Sequence, residues 1–270
     1  MQPETLVGTA KLPRSATSWP AAAFGRGARG CGRSGMRYTR FNFKFGAAMA
    51  VAKPVYVQFG CGFSCPDGWL NFDASPTLRT QRLPLIGRLL ARGSVVFPRN
   101  VRFGDIVKGL PVADDSASGV YGSHVLEHLS RADFSTALAH TFRMLRPGGI
   151  FRLVVPDLEA RARLYLARTD DTQANDWFME ASHLGEARRE TGVIGLLRAA
   201  LGNSRHLWMW DERAMRAALE RQGFVRVRRC TFNDCVDVAF RAVERADRFR
   251  DAGLGIDECA MEAVKPPASA

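Results

Sequence analysis

Gly60-Cys61-Gly62 stands directly after the β-branched, apolar run Val55–Phe59, and an acid, Asp73, closes the next short run, which starts at Trp69. Glycines at a strand tip let the backbone approach a ligand with no Cβ in the way. A carboxylate at the neighbouring strand tip accepts two hydrogen bonds from a vicinal diol such as a ribose. Strand, glycine turn, strand, acid is therefore the arrangement with which a doubly wound α/β sheet holds a nucleoside. Only 13 residues separate Gly60 from Asp73, against about 20 in a dinucleotide site. The helix that usually joins the two strands is expected to be missing or cut to a turn. That speaks against a pyrophosphate, which draws on a helix N-terminus.

Three later pieces carry polar residues to the ends of further strands. They are Asp105-Ile106, the run Ser123-His124-Val125-Leu126-Glu127-His128, and Leu145-Arg146-Pro147-Gly148-Gly149. Together with the glycine turn they resemble the class I S-adenosylmethionine-dependent methyltransferases, in the type 11-like branch with an HVLEH segment and an LRPGG turn. The resemblance covers residues 54–158, with fainter echoes to 243. It implies S-adenosyl-L-methionine as cofactor, and a sulfonium ligand suits the short glycine-to-acid spacing. By the same resemblance Gly60, Cys61 and Gly62 form the cofactor turn, and Asp73 takes the ribose. Asp105 receives the exocyclic amine of adenine, Ile106 covers the ring, and the backbone at Ser123 faces the amino-acid part.

Transfer of a methyl group from a sulfonium is an in-line displacement whose leaving group needs no proton. The protein supplies proximity, alignment and a dry pocket. A base is needed only for a poor nucleophile such as a hydroxyl. His124, at a strand tip, is the first candidate, with His128 and His206 behind it. Glu127 and His128 fall on the turn after the strand and could simply cap it. Trp208, Met209 and Trp210 beside His206 form either an apolar wall for an acceptor or ordinary core. The expected activity is O-methylation of a small molecule or glycan. Two other readings stand beside it. One is a catalytically inactive, methyltransferase-like binding protein whose basic arm docks on RNA. The other is a nicotinamide-dependent dehydrogenase, against which the third glycine of its fingerprint would fall at Cys65. Nothing at the fourth strand marks a flipped base, so no nucleic-acid substrate is expected.

The elements that must position these residues alternate. Strands are expected near 55–59, 69–73, 101–105, 118–123 and 150–155, Val/Ile/Phe-rich as buried parallel strands are. Ser130 and Asp133 make a capping box before the apolar stripe Phe134, Leu138, Phe142 and Leu145, and Pro147-Gly148-Gly149 ends that helix. A second helix starts at Asp211 and stops at Gly223. Residues 224–232 and 236–243 read as two consecutive strands. The fold class is thus α/β: a Rossmann-like, doubly wound sheet of about seven strands, mostly parallel, with an antiparallel final strand. Residues 157–205 form a helical insertion after strand five, with helices around 158–166, 177–183 and 193–201. It is either a substrate lid or plain packing on the sheet. Residues 51–243 are the expected domain, and 244–270 a C-terminal tail.

Composition narrows the setting. Of the net charge of +11, residues 1–50 hold +7, from eight Lys/Arg against the single acid Glu4. The remaining +4 is too little to argue for a polyanionic substrate. Residues 1–50, rich in Ala, Gly, Arg and Ser, are expected to be a disordered basic extension, with Met36 and Met49 as alternative starts. No apolar run reaches the ~18 residues of a membrane span. Cys61/Cys65 and Cys230/Cys235 lack the two-residue spacing of zinc half-sites. No metal is expected, and reduced thiols point to the cytoplasm.

Overall fold

The computed structural model describes residues 53–82, 96–185 and 205–268. The chain divides into two compact units, 1–50 and 51–270, and everything described belongs to the second. The expected basic extension, and the expected helix at 193–201, lie outside the described residues.

Seven strands form the main sheet: β1 (Val55–Phe59), β2 (Trp69–Asp73), β3 (Val101–Phe103), β4 (Ala117–Ser123), β5 (Leu145–Val155), β6 (Val225–Arg229) and, after a two-stranded hairpin of β7 (Arg250–Asp251) and β8 (Ile256–Asp257), β9 (Cys259–Val264). Their order is β3-β2-β1-β4-β5-β9-β6. Pairings from β3 through to β5 are parallel, and β9 runs antiparallel to both β5 and β6. The chain reverses direction across the sheet between β1 and β4, so the carboxyl tips of β1, β2 and β4 border the crevice where such sheets take ligands. Between β1 and β2 there is no helix, only turns, as the short spacing required. Phe59, Phe72, Phe134 and Phe151 fill the core between sheet and helices, each buried side chain contributing about 1.5–3 kcal/mol.

Helix α1 is Pro76–Gln81, capped by the Ser75 hydroxyl, which accepts from the Leu78 amide. Helix α2 is Arg131–Met144. The Ser130 hydroxyl accepts from the Asp133 amide at 3.1 Å and donates to the Asp133 carboxylate at 2.8 Å, so the capping pair forms as its spacing demands. The insertion contributes α3 (Leu158–Leu166) and α4 (Ala174–Ala181). Helix α5 (Glu212–Arg221) is capped by Asp211, buries Met215 and Leu219, and is followed by Gly223 at φ +101°. A short α6 (Ala246–Phe249) leads into the hairpin.

Three expectations need correction. Residues 236–243 are not a strand: 238–242 form a 3-10 turn capped by Asp237. Val236 and Val238 are exposed while Phe240 and Val243 are buried, a three-residue spacing that fits a helical turn and not the two-residue alternation of a strand. The antiparallel strand comes instead from residues 259–264, inside the segment expected to be a tail. Its charged residue explains the miss. Glu262 is buried between the two flanking strands, bonded to Arg152 of β5 at 3.0 Å and to Arg228 of β6 at 2.9 Å, each its register partner. Cross-strand pairing thus makes a central strand of a sequence that does not read as one. The Pro147-Gly148-Gly149 segment also differs, lying within β5, where residues 145–150 bulge opposite Ala117–Gly119.

Candidate functional site

At the tip of β1 the chain enters left-handed backbone twice, at Gly60 (φ +63°) and Gly62 (φ +53°). A Cβ on Gly60 would lie 2.0 Å from Cγ2 of Val125, so the turn after β1 and the turn after β4 touch where only glycine fits. Asp73 at the β2 tip is 7% exposed. One carboxylate oxygen accepts from the Gly62 amide at 2.9 Å and the other from the Ser75 amide at 2.8 Å. The acid therefore locks the glycine turn to the start of α1, and each oxygen keeps a second lone pair for a ligand hydroxyl. Cys61 lies between the glycines with its side chain turned into a small core of Leu78, Phe97 and Val101. Its thiol is pushed up to about 12, chiefly by burial and then by the neighbouring Asp73, and donates to the Gly62 carbonyl at 3.6 Å.

A cleft of ≈430 Å³ opens between the β2 and β3 tips, lined by Ala74, Pro76, Arg79, Thr80, Phe103, Asp105 and Lys108, with the Arg79 guanidinium over the Phe103 ring. The Asp105 carboxylate accepts from the Val107 amide at 3.0 Å and stands 3.6 Å from the Lys108 ammonium. Ile106 turns inward and is 4% exposed in the main core. The glycine turn, Asp73 and Asp105 are thus brought to one edge of the sheet, whereas Ile106, expected to cover the adenine ring, is buried in the core and does not line the cleft. The turn and the two acids fit the cofactor expected from the sequence.

The tip of β4 is built differently. Ser123 ends the strand, and His124 follows at φ +53°, its amide bonded to the Val154 carbonyl. The His124 ring has Nε2 2.9 Å from the Arg248 carbonyl oxygen and Nδ1 3.4 Å from a Glu127 carboxylate oxygen. Burial alone would lower its pKa, but the adjacent Glu127 carboxylate outweighs that and raises it above the ordinary histidine value. Because a carbonyl only accepts, Nε2 carries a proton in this arrangement.

Glu127 is the residue whose importance the sequence does not show. Its side chain is 0% exposed and caps no helix, contrary to the simpler of the sequence readings. Its backbone carbonyl accepts from the amides of both Leu207 and Trp208, which brings the segment after the insertion against the β4 tip. His128 donates through Nδ1 to the Arg205 carbonyl at 2.9 Å and points Nε2 at Glu127, 4.0 Å away. His206 packs 5.1 Å from the His128 ring and 4.8 Å from that of His183. Its pKa falls to about 4, mainly by burial, with the neighbouring His128 and His183 adding to the drop. Three of the chain's five histidines, His124, His128 and His206, therefore stand around one buried carboxylate, and His183 packs on His206. The i,i+4 spacing of His124 and His128 hints at this, but His183 and His206 arrive only through the fold. Trp210 is core, stacked on Phe134 at 4.0 Å, whereas Trp208 stays 39% exposed with the Arg131 guanidinium over its ring. The expected aromatic pair thus splits between the two readings.

The sequence model of the family described as "Methyltransferase domain" matches residues 57–228. Three solved structures are among those similar to the chain. The complex between a Haloferax volcanii methyltransferase activator and a methyltransferase gives 17% identity, 79% coverage of this chain and 83% of that one, and a TM-score of 0.40. A SAM-dependent methyltransferase from Archaeoglobus fulgidus gives 16%, 78%, 86% and 0.42. One from Thermotoga maritima gives 14%, 80%, 84% and 0.42. No curated protein matches the sequence.

Proposed function

Because the chain belongs to the methyltransferase-domain family, we propose that this S-adenosylmethionine-dependent enzyme methylates a hydroxyl oxygen of a small molecule or glycan. The observation that carries the choice of oxygen is His124 at the β4 tip, backed by the buried carboxylate of Glu127. An amine or thiol acceptor needs no such proton acceptor, whereas a hydroxyl does. When bound, the cofactor supplies an electrophilic methyl group on a sulfonium. The glycine turn and Asp73 would hold its ribose side, Asp105 its adenine, and the Ser123 backbone its amino-acid part.

For His124 to accept a proton, Nε2 must exchange the Arg248 carbonyl for the acceptor hydroxyl. The ring proton then resides on Nδ1, facing Glu127, and the Nε2 lone pair is free. The raised pKa strengthens this base, and the carboxylate stabilises the imidazolium that forms. His128 and His206 would line the same side. The insertion, whose His183 end reaches the cluster, would act as the lid over the acceptor, with Trp208 offering a face to an apolar or sugar ring. Among the described residues no helix is long and apolar enough to cross a membrane. The cysteines at 61, 65, 230, 235 and 259 are all unpaired, which supports a cytoplasmic setting.

The test pairs phenolic and sugar hydroxyl acceptors with amine and thiol ones, reading methylated product by mass. His124→Ala should cut turnover on a hydroxyl by ~10²–10⁴-fold while leaving affinity for S-adenosylhomocysteine unchanged. Wild-type turnover in that variant would remove His124 from the mechanism.

A further inference from the structure

Glu127 presents a problem that methyl transfer alone does not solve. Both of its carboxylate oxygens are shut off from water and lack a hydrogen-bond donor, and so does Nδ1 of His206 beside it. A buried, undonated carboxylate is costly unless a positive group completes it. The nearest such group, Nδ1 of His124, stays 3.4 Å away, on a ring already tied to the Arg248 carbonyl. Among the described residues, Glu127, His128 and His206 are the group of potential ligands that converges, with donor atoms all within 4.8 Å of one another.

We propose that these three residues form a binding site for a divalent transition-metal ion, Zn²⁺ foremost, beside the β4 tip. Two imidazoles and one carboxylate suit Zn²⁺ and its first-row neighbours and suit Mg²⁺ poorly, because Mg²⁺ favours oxygen ligands. The donor set is His₂Glu, which leaves a coordination position open. His128 is already prepared: its Nδ1–H is held by the Arg205 carbonyl, which fixes the tautomer and turns the Nε2 lone pair toward Glu127. A hydrogen bond from the second nitrogen to a backbone carbonyl is the usual orienting partner of a ligating histidine. An ion with ligand bonds near 2.1 Å separates its tetrahedral ligands by roughly 3.4 Å, so closing the group asks for small side-chain movements. The ion would tie the turn after β4 to the segment that returns from the insertion. The cysteines take no part.

The test is calorimetric titration of ZnCl₂ into the full, tag-free chain in a non-chelating buffer, with MgCl₂ as control and Co²⁺ as a spectroscopic probe. One equivalent of Zn²⁺ should bind and raise the melting temperature, and Mg²⁺ should do neither. Co²⁺ should give visible bands of a nitrogen- and oxygen-ligated ion without sulfur charge transfer. His128→Ala and His206→Ala, both at partly exposed rings, should each weaken Zn²⁺ by more than the roughly 10–100-fold that loss of an outer-shell partner costs. Cys65→Ser/Cys235→Ser should bind as the parent does. The melting shift with S-adenosylhomocysteine reports that each variant remains folded. Absence of Zn²⁺ binding by the parent, or affinity that survives in His128→Ala/His206→Ala, overturns the site.

Discussion

The two ends of the ligand crevice are built on opposite plans. At the tips of β1, β2 and β3 the polar groups are satisfied before any ligand arrives: Asp73 holds two backbone amides and Asp105 a third. At the tip of β4 the buried carboxylate and one imidazole nitrogen are left without donors. The first region, the cofactor receptor on the reading proposed above, is assembled from neighbours in sequence. The second, the proposed reaction centre, is assembled from distant residues and held in an electrostatically unfinished state. Such unfinished groups are where chemistry and ion binding concentrate, because an incoming partner gains what the fold leaves unpaid.

Substitutions on the two sides should therefore separate two readouts. The largest effect belongs to the β4 side, where loss of the His124 imidazole acts on turnover and spares cofactor affinity. Next comes the seam between the regions. Gly60→Ala combines left-handed strain with an overlap at 2.0 Å against Val125, and should lower stability by about 2–4 kcal/mol. Gly60→Ala/Val125→Ala should recover the overlap but not the strain, and denaturant melts of the three variants measure the split. Full recovery would show that the backbone at Gly60 is unstrained. On the receptor side, Asp73→Ala should weaken S-adenosylhomocysteine at least ten-fold, matching ~1.5–3 kcal/mol of charged hydrogen bonds. Turnover at saturating cofactor should stay close to wild type, and a collapse of turnover with intact affinity would reverse the division of labour. The smallest effect concerns Cys61. With its thiol pushed up to about 12, iodoacetamide at pH 8 should leave it unmodified in peptide mass spectra, since only the thiolate reacts. Rapid labelling would mean that the glycine turn opens.

The same contrast explains what the sequence reveals. The receptor region is legible because Gly60, Gly62 and Asp73 sit within one short stretch, and its missing helix follows from their spacing alone. The capped helices are legible too, since Ser130 with Asp133 and Asp211 with Gly223 are local signals. The β4 centre is half legible: His124 and His128 show, but Glu127 looks like a surface cap until Leu207 and Trp208 fold over it. Strand β9 is illegible for a related reason. Cys259-Ala260-Met261-Glu262-Ala263-Val264 has little strand preference of its own, and its place is decided by Arg152 and Arg228 on strands far away in the chain. Where a partner far along the chain sets a residue's role, as Arg152 and Arg228 do for Glu262, local pattern carries no trace of it.

That last strand also governs how the protein comes into being on the ribosome. Strand β6 is made before β9 but pairs with β9 alone, so until residues 259–264 emerge the sheet ends at β5. Arg152 on that edge then lacks Glu262, and an unpaired edge invites wrong partners. Synthesis that stalls just before β9 leaves a chain with the whole ligand crevice encoded and no closed sheet to hold it.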